Sequence, residues 1–322
     1  MDIHRLPNRI VRIVALLTIG ALPICASAKD AGRVELPGYV SAPVRYAPLN
    51  KMIVSVMING HPANLLVDTG ANLFLLDADA AQSCGVTPSP RGFRYIGYRR
   101  INGQLCPIAF VRSFTAGNMN FGSMPVTLVE AGARNNFAKR VENGDAPVDG
   151  ILGAEVLVRH KAVINSRTKL ILFKVNASAA PLQLAGVASS EKFTKVPLRQ
   201  EENGGFTVPC SIHGARGRLV IDTGAFVTTF DQALLKTLGI PLQPAHVSGR
   251  FSDGVSRHYS VGQLNDFAIG DFKVPPAKLG AAVLPNLTSE RADTPIDGIL
   301  GMDLLYDCHA IIDFGSMNLF LK

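Results

Sequence analysis

The sequence has no tryptophan, and only 18% of its 322 residues are charged. With 47% hydrophobic residues, so little charge excludes a disordered chain, and the length suffices for one or two buried cores. Long helical patterns are missing as well. Thirty glycines and 20 prolines punctuate short apolar runs, which excludes a helical bundle or coiled coil and fits many short strands. There is no Cys-x-x-Cys and no His-Glu-x-x-His, and the seven histidines are scattered, so no metal site is expected. A bilayer-spanning run is lacking too: the apolar stretch Val14–Cys25 is too short.

That stretch follows Arg5, Arg9 and Arg12 and precedes Ala26-Ser27-Ala28, the pattern of a cleaved export signal. Residues 1–28 are therefore expected to leave. The mature chain then starts near Lys29, periplasmic or secreted, without stable membrane insertion. Removing three arginines and Asp2 lowers the formal net charge from +7 to +5, too modest a balance to define partners. The densest basic stretch, Arg91–Arg100, is interleaved with Phe93, Tyr95 and Tyr98. It reads as a solvated strand edge rather than a nucleic-acid surface, and no nucleic-acid partner is expected. Four cysteines remain after cleavage, Cys84, Cys106, Cys210 and Cys308, an even number that allows two disulfides in an exported chain.

The chain is written twice. Residues 52–87 align without a gap on residues 206–241, and ten of the 36 positions are identical, too many for coincidence. The identities include Gly60/Gly214, Leu65/Leu219, Asp77/Asp231, Gly85/Gly239 and the whole of Asp68-Thr69-Gly70-Ala71 on Asp222-Thr223-Gly224-Ala225. Downstream, Asp149-Gly-Ile-Leu-Gly153 matches Asp297-Gly-Ile-Leu-Gly301, followed by Leu157/Leu305, Ala162/Ala310 and Ile164/Ile312. Two lobes follow, 29–175 and 192–322, joined by an Ala- and Ser-rich linker at 176–191.

Each lobe reads as strands and tight turns. Strands at 51–58 and 206–212 lead through Asn59-Gly60 and His213-Gly214 hairpin turns into strands that end at the Asp-Thr-Gly. Hairpins are expected again at Asn102-Gly103 and Asp253-Gly254. Short helices are expected over 154–160 and 302–308, with Asp149 and Asp297 capping the strand-to-helix turns. A closing strand is read at 162–173 and at 310–321.

A single Asp-Thr-Gly after an apolar strand is an ordinary turn. Two at equivalent positions mean more, because related lobes packed about a two-fold axis bring such turns face to face. Two aspartates then share one site and cannot easily both ionise: one keeps its proton while the other remains a base. Hydrolysis by an activated water needs that pairing of acid and base.

On these motifs the chain resembles the aspartic peptidases of the pepsin and retropepsin type, over nearly all of residues 45–322. The single bilobal chain is similar to pepsin, while Ala71 and Ala225 after each Asp-Thr-Gly are more like retropepsins. The resemblance implies an all-β fold of two homologous lobes with the active site between them. It also implies aspartic endopeptidase activity without metal or organic cofactor, in a monomer acting on extended peptide or protein. Asp68 and Asp222 would flank the attacking water. Thr69 and Thr223 would lock the loops across the interface, and Gly70 and Gly224 would admit main chain close to the carboxyls. The hairpins at Asn102, Gly103, Asp253 and Gly254 would be flaps over the substrate. Tyr95, Tyr98 and Tyr259 are read as strand aromatics covering the core. The same fold suggests disulfides Cys84–Cys106 and Cys210–Cys308.

Two departures stand out. Phe226 follows the second Asp-Thr-Gly-Ala where the family has a small or polar residue, as Asn72 is in the first copy, which places Phe226 to shape a subsite or narrow the cleft. Ala71 and Ala225 offer no hydroxyl to the carboxyls, which shifts their titration upward. A catalytically silent binder of extended peptides is the alternative function; a structural cell-envelope protein leaves the paired motifs unexplained.

Overall fold

The computed structural model describes residues 37–86, 97–101, 103–129, 147–175, 192–251, 254–285 and 296–322. The expected export signal at 1–28 and the expected linker at 176–191 lie outside them. β1 (Tyr39–Ala47) leads into the hairpin of β2 (Lys51–Ile58) and β3 (His61–Val67). Its turn residues Asn59 and Gly60 have φ of 51° and 86°, the left-handed pair that a two-residue hairpin requires. β4 (Leu75–Asp77) runs into α1 (Ala78–Ser83), where Asp77 Oδ1 accepts the N–H groups of Asp79 at 3.0 Å and Ala80 at 3.2 Å. β5 (Gly97–Ile101), β6 (Gln104–Ala116), β7 (Met119–Val129), β8 (Gly150–Leu152), α2 (Ala154–Arg159), β9 (Val163–Asn165) and β10 (Leu170–Lys174) complete the first lobe.

The second lobe starts with β11 (Thr194–Pro197) and β12 (Arg199–Gln200), then repeats the plan. β13 (Phe206–Ile212) and β14 (Ala215–Ile221) form the matching hairpin, and β15 (Thr229–Asp231) runs into α3 (Gln232–Thr237). Asp231 caps α3 as Asp77 caps α1, at 2.9 and 3.2 Å, so a capping requirement accounts for the identity of these two aspartates. β16 (Leu242–Arg250), β17 (Ser256–Leu264), β18 (Phe267–Ile269), β19 (Phe272–Val274) and β20 (Ala277–Ala282) follow. β21 (Ile296–Leu300), α4 (Met302–Asp307), β22 (Ile311–Asp313) and β23 (Asn318–Leu321) end the series.

In each lobe the strand ending at Asp-Thr-Gly lies parallel to an Ile-Leu-Gly strand: Val67 opposes Leu152 between β3 and β8, and Ile221 opposes Leu300 between β14 and β21. Between the lobes, six strands form one antiparallel layer in the order β11-β23-β22-β9-β10-β1. At its centre Ile164 opposes Ile312, flanked by Val163 opposite Asp313 and Asn165 opposite Ile311. The two isoleucines are repeat equivalents, so a local two-fold axis passes between them. β9 with β10, and β22 with β23, replace the single closing strands read from the sequence. Chain reversal at 166–169 and 314–317 cuts each run in two.

One apolar cluster runs through both lobes. Lacking tryptophan, it is filled by phenylalanine. Phe74 stacks on Phe114 at 5.0 Å, Phe114 on Phe121 at 4.6 Å, and Phe121 meets Phe173 edge-on at 5.0 Å. Phe206 with Phe314 at 5.0 Å, and Phe230 with Phe267 at 5.2 Å, play the same part in the second lobe.

The expected disulfides are not formed: all four cysteines are buried thiols. Cys84 packs in the main cluster, whereas Cys106 sits in a separate small one with Leu75, Val129 and Ile151. Cys210 lies mid-strand in β13 and Cys308 at the end of α4. Burial pushes these two thiols up to about 12 and about 11, so they pack as small, protonated hydrophobes.

Truncating the axis tests this arrangement. Ile164→Ala and Ile312→Ala are each expected to cost about 2–5 kcal/mol in denaturant unfolding, with the double variant losing less than the sum because the residues face each other. Strict additivity would place them in independent environments.

Candidate active site

The two Asp-Thr-Gly loops meet at the lobe interface, each gripping the other. Thr69 Oγ1 donates to the Ile221 carbonyl at 2.8 Å and accepts the Thr223 N–H at 3.0 Å. Thr223 Oγ1 returns both bonds, to the Val67 carbonyl at 2.8 Å and from the Thr69 N–H at 3.0 Å. Both threonines are fully buried, so four satisfied hydrogen bonds in a dry setting fix the spacing of the loops.

The carboxyls cross the interface in the same manner. A β-carbon added to Gly70 would lie within 2.7 Å of all three carboxyl atoms of Asp222, and one added to Gly224 equally close to those of Asp68. Only glycine permits that approach. Asp68 Oδ1 accepts the N–H groups of Gly70 at 2.9 Å and Ala71 at 3.0 Å; Asp222 Oδ1 accepts those of Gly224 at 2.8 Å and Ala225 at 3.0 Å. Behind the loops, the Asp68 N–H donates to Leu152 at 3.2 Å and the Asp222 N–H to Leu300 at 3.0 Å.

Burial raises both carboxyls above the ordinary value of 3.8. For Asp68 the charge of Asp222 and a hydrogen bond to it push further upward, while the Gly70 and Ala71 N–H groups pull back. For Asp222 the hydrogen bond from Asp68 lowers the value, together with those from Ala225 and Gly224. Burial and crowding together thus favour one proton kept between the two carboxyls. Desolvation, rather than the missing hydroxyls at Ala71 and Ala225, is the leading cause of the shift.

Two acidic side chains not singled out from the sequence brace these loops. α2 begins where Ala154 N–H donates to Ala71 O at 2.7 Å and Glu155 N–H to Asn72 O at 3.1 Å; Glu155 Oε1 then accepts the Phe74 N–H at 2.7 Å. In the second lobe Met302 and Asp303 N–H groups meet Ala225 O at 2.8 Å and Phe226 O at 3.2 Å. Asp303 accepts the Thr228 N–H at 2.8 Å and its hydroxyl at 2.6 Å. The sequence does carry a signal for them: an acidic residue stands two positions after each Ile-Leu-Gly.

Asp149 and Asp297 do not cap helices. Their carboxylates accept the N–H groups of Asn64 at 2.8 Å and Arg218 at 3.2 Å in the neighbouring strands, while Gly153 and Gly301 occupy the N-cap positions. Phe226 and Asn72 both reach across the interface. The Asn72 amide donates to the Asn203 carbonyl, and Lys51 Nζ lies 5.6 Å from the centre of the Phe226 ring. The departure at Phe226 is thus an interlobe contact.

Hairpins stand at both expected flap positions, β5–β6 and β16–β17. Gly103 and Gly254 have φ of 84° and 80°, as their turns require; Asn102 and Asp253 lie outside the described residues, as does Tyr95. Tyr98 does not cover the core, because 60% of its surface is exposed on edge strand β5. Tyr259 lies against Gly249 and faces Phe251 at 5.9 Å within the second hairpin. Among the described residues, no group of three or more His, Cys, Asp and Glu side chains is arranged to hold a metal ion.

Paired Asp-Thr-Gly loops between two homologous all-β lobes define a two-lobed aspartic peptidase of the pepsin and retropepsin type. Comparison with protein families agrees. The aspartyl protease family matches twice, at residues 54–156 and 208–304, and the chain belongs to that family. Among solved structures, an aspartic proteinase from Irpex lacteus aligns over 88% of this chain and 97% of its own, with a TM-score of 0.50 and 14% identity. Basic 7S globulin from soybean aligns over 88% and 94%, with a TM-score of 0.49 and 12% identity. A search of curated proteins gave no match.

Raised carboxyl affinities favour folding at low pH. The contribution is fully present below the ordinary 3.8 and is lost as pH rises through the raised values. Asp222→Asn removes that loss. It is expected to raise the melting temperature at pH 7, by about 2–4 °C for each kcal/mol relieved, and to leave it unchanged at pH 3. Equal melting temperatures at pH 7 would contradict a crowded carboxyl pair.

Proposed function

We propose that this chain is an aspartic endopeptidase that hydrolyses peptide bonds with a water activated between Asp68 and Asp222. The crossed carboxyls carry the reading: each lies against the glycine of the other loop, and burial raises both. As water attacks the scissile carbonyl carbon, the ionised carboxylate of the pair takes its proton, and the protonated carboxyl gives its own to the carbonyl oxygen. Breakdown of the resulting gem-diol passes the proton taken from water to the leaving nitrogen as the C–N bond breaks. The other carboxyl regains a proton from the collapsing hydroxyl. Every proton stays within the pair and the substrate.

An extended peptide lying between the lobes suits this site, since open hairpin edges can pair with substrate main chain. The reading includes export, supported by the pattern of residues 1–28. Sequencing the N-terminus of protein recovered outside the cytoplasm should give a start near Lys29.

The deciding experiment is digestion of an unbiased peptide library by the wild type, Asp68→Asn and Asp222→Asn, with and without a pepstatin-type inhibitor. Cleavage by the wild type alone, lost by roughly 10³-fold or more in either variant, is expected. Cleavage that survives both substitutions would defeat the reading, and a folded wild type without cleavage would favour a silent peptide binder. Because burial lifts both carboxyls, the acid limb of kcat/KM should lie above the ordinary carboxyl value of 3.8. A profile still rising below about pH 3 would contradict a carboxyl pair raised by burial.

A further inference from the structure

The two halves brace their aspartate loops with different chemistry, and the difference leads to one hairpin. In the second lobe the brace is closed on itself: the hydrogen-bond partners of the Asp303 carboxylate among the described residues are Thr228 and Leu304. The first lobe has Phe74 where the second has Thr228, so no hydroxyl meets the brace. Its carboxylate is also one methylene longer. Glu155 Oε1 takes the Phe74 N–H at 2.7 Å, and Oε2 reaches outward to Arg99 Nη1 at 3.2 Å. Arg99 lies on β5, in the hairpin expected to act as a flap.

A second, apolar contact runs alongside. Ile101 of β5 and Cys106 of β6 share a small cluster with Ala71 and Leu73, which immediately follow Asp68-Thr69-Gly70. In the other half, Val227, the counterpart of Leu73, is 37% exposed.

We propose that Glu155 is a positioning residue that ties the β5–β6 hairpin to the Asp68 loop through Arg99, so that this hairpin is coupled to the aspartate pair. The proposal deepens the peptidase reading and rests on it for its effect on catalysis, but the coupling itself can be measured without substrate. When a peptide draws the hairpin inward, the pull passes through Arg99 and Glu155 to the main chain at Phe74.

Hydrogen exchange decides the matter, comparing wild type, Arg99→Ala, Glu155→Gln and the double variant. Glutamine keeps an acceptor for the Phe74 N–H and removes the ion pair. Each single variant is expected to speed exchange at 97–105 and at 71–74 together by about two- to fivefold, the scale of a half-exposed ion pair. Exchange at 242–264 should not change, the double variant should go no further than either single, and Arg99→Lys should restore protection. With a cleaved peptide, kcat/KM should fall by the same factor, carried by KM. Raising the salt concentration should reproduce the effect in the wild type and add nothing in Arg99→Ala. Faster exchange in the hairpin without any change at 71–74, or additive effects in the double variant, would overturn the proposal. A wild type that cleaves no peptide would instead defeat the peptidase reading, and the exchange result would still stand or fall by itself.

Discussion

Everything in this molecule answers to one constraint: two acidic groups must be held against each other, partly out of water, without springing apart. Left alone they would repel and rehydrate. The threonines prevent this. Each spends its hydroxyl and its N–H on the opposite loop, so that neither loop can retreat without leaving buried polar groups unsatisfied. The Ile-Leu-Gly strands behind, the phenylalanine-filled core and the shared central layer hold those loops in place. A second set of contacts between the lobes, at Asn72 with Asn203 and at Phe226 with Lys51, lies just beyond them.

Duplication supplied the symmetry, and the departures from symmetry carry the individuality. Equivalent positions keep the same residue where the backbone allows no choice, as at the caps Asp77 and Asp231 or the crossing glycines Gly70 and Gly224. They diverge where only a contact has to be made. Asn72 uses an amide where Phe226 uses a ring, and Phe74 with Glu155 stands where Thr228 with Asp303 does. Chemistry that requires two like partners can thus sit in a frame whose surroundings differ from side to side.

Much of this was legible from residues alone. The repeat, the paired Asp-Thr-Gly loops, the hairpin turns and the short helices could be read because each depends on local chemistry that a residue type announces. What could not be read depends on what a side chain faces. Four cysteines say nothing of distance, and here they are spread over separate strands and helix ends within the apolar interior. Tyr98 has a strand aromatic's sequence context, yet lies on a sheet edge. Asp149 and Asp297 resemble caps but serve a neighbouring strand that arrives from more than 70 residues earlier. The reversals after β9 and β22 are closed by Lys169 and Met317, both at a φ of 55°, residues that do not advertise a left-handed turn. Glu155 and Asp303 left a faint trace, because a single acidic residue after a strand usually means only a solvated helix start.

The central layer has a consequence for how the chain is made. β9 can be complete when the first half leaves the ribosome, but its partner β22 follows about 150 residues later. Until then the first half carries an unpaired strand edge, the one that sets Ile164 against its repeat equivalent Ile312 in the complete chain. Two nascent first halves could therefore pair with each other in the geometry that β22 later provides. The late arrival of the second half acts as a competition, won by its tether: a covalently attached partner is present at far higher effective concentration than any neighbour. A single chain in place of two separate subunits makes the site's assembly independent of protein concentration.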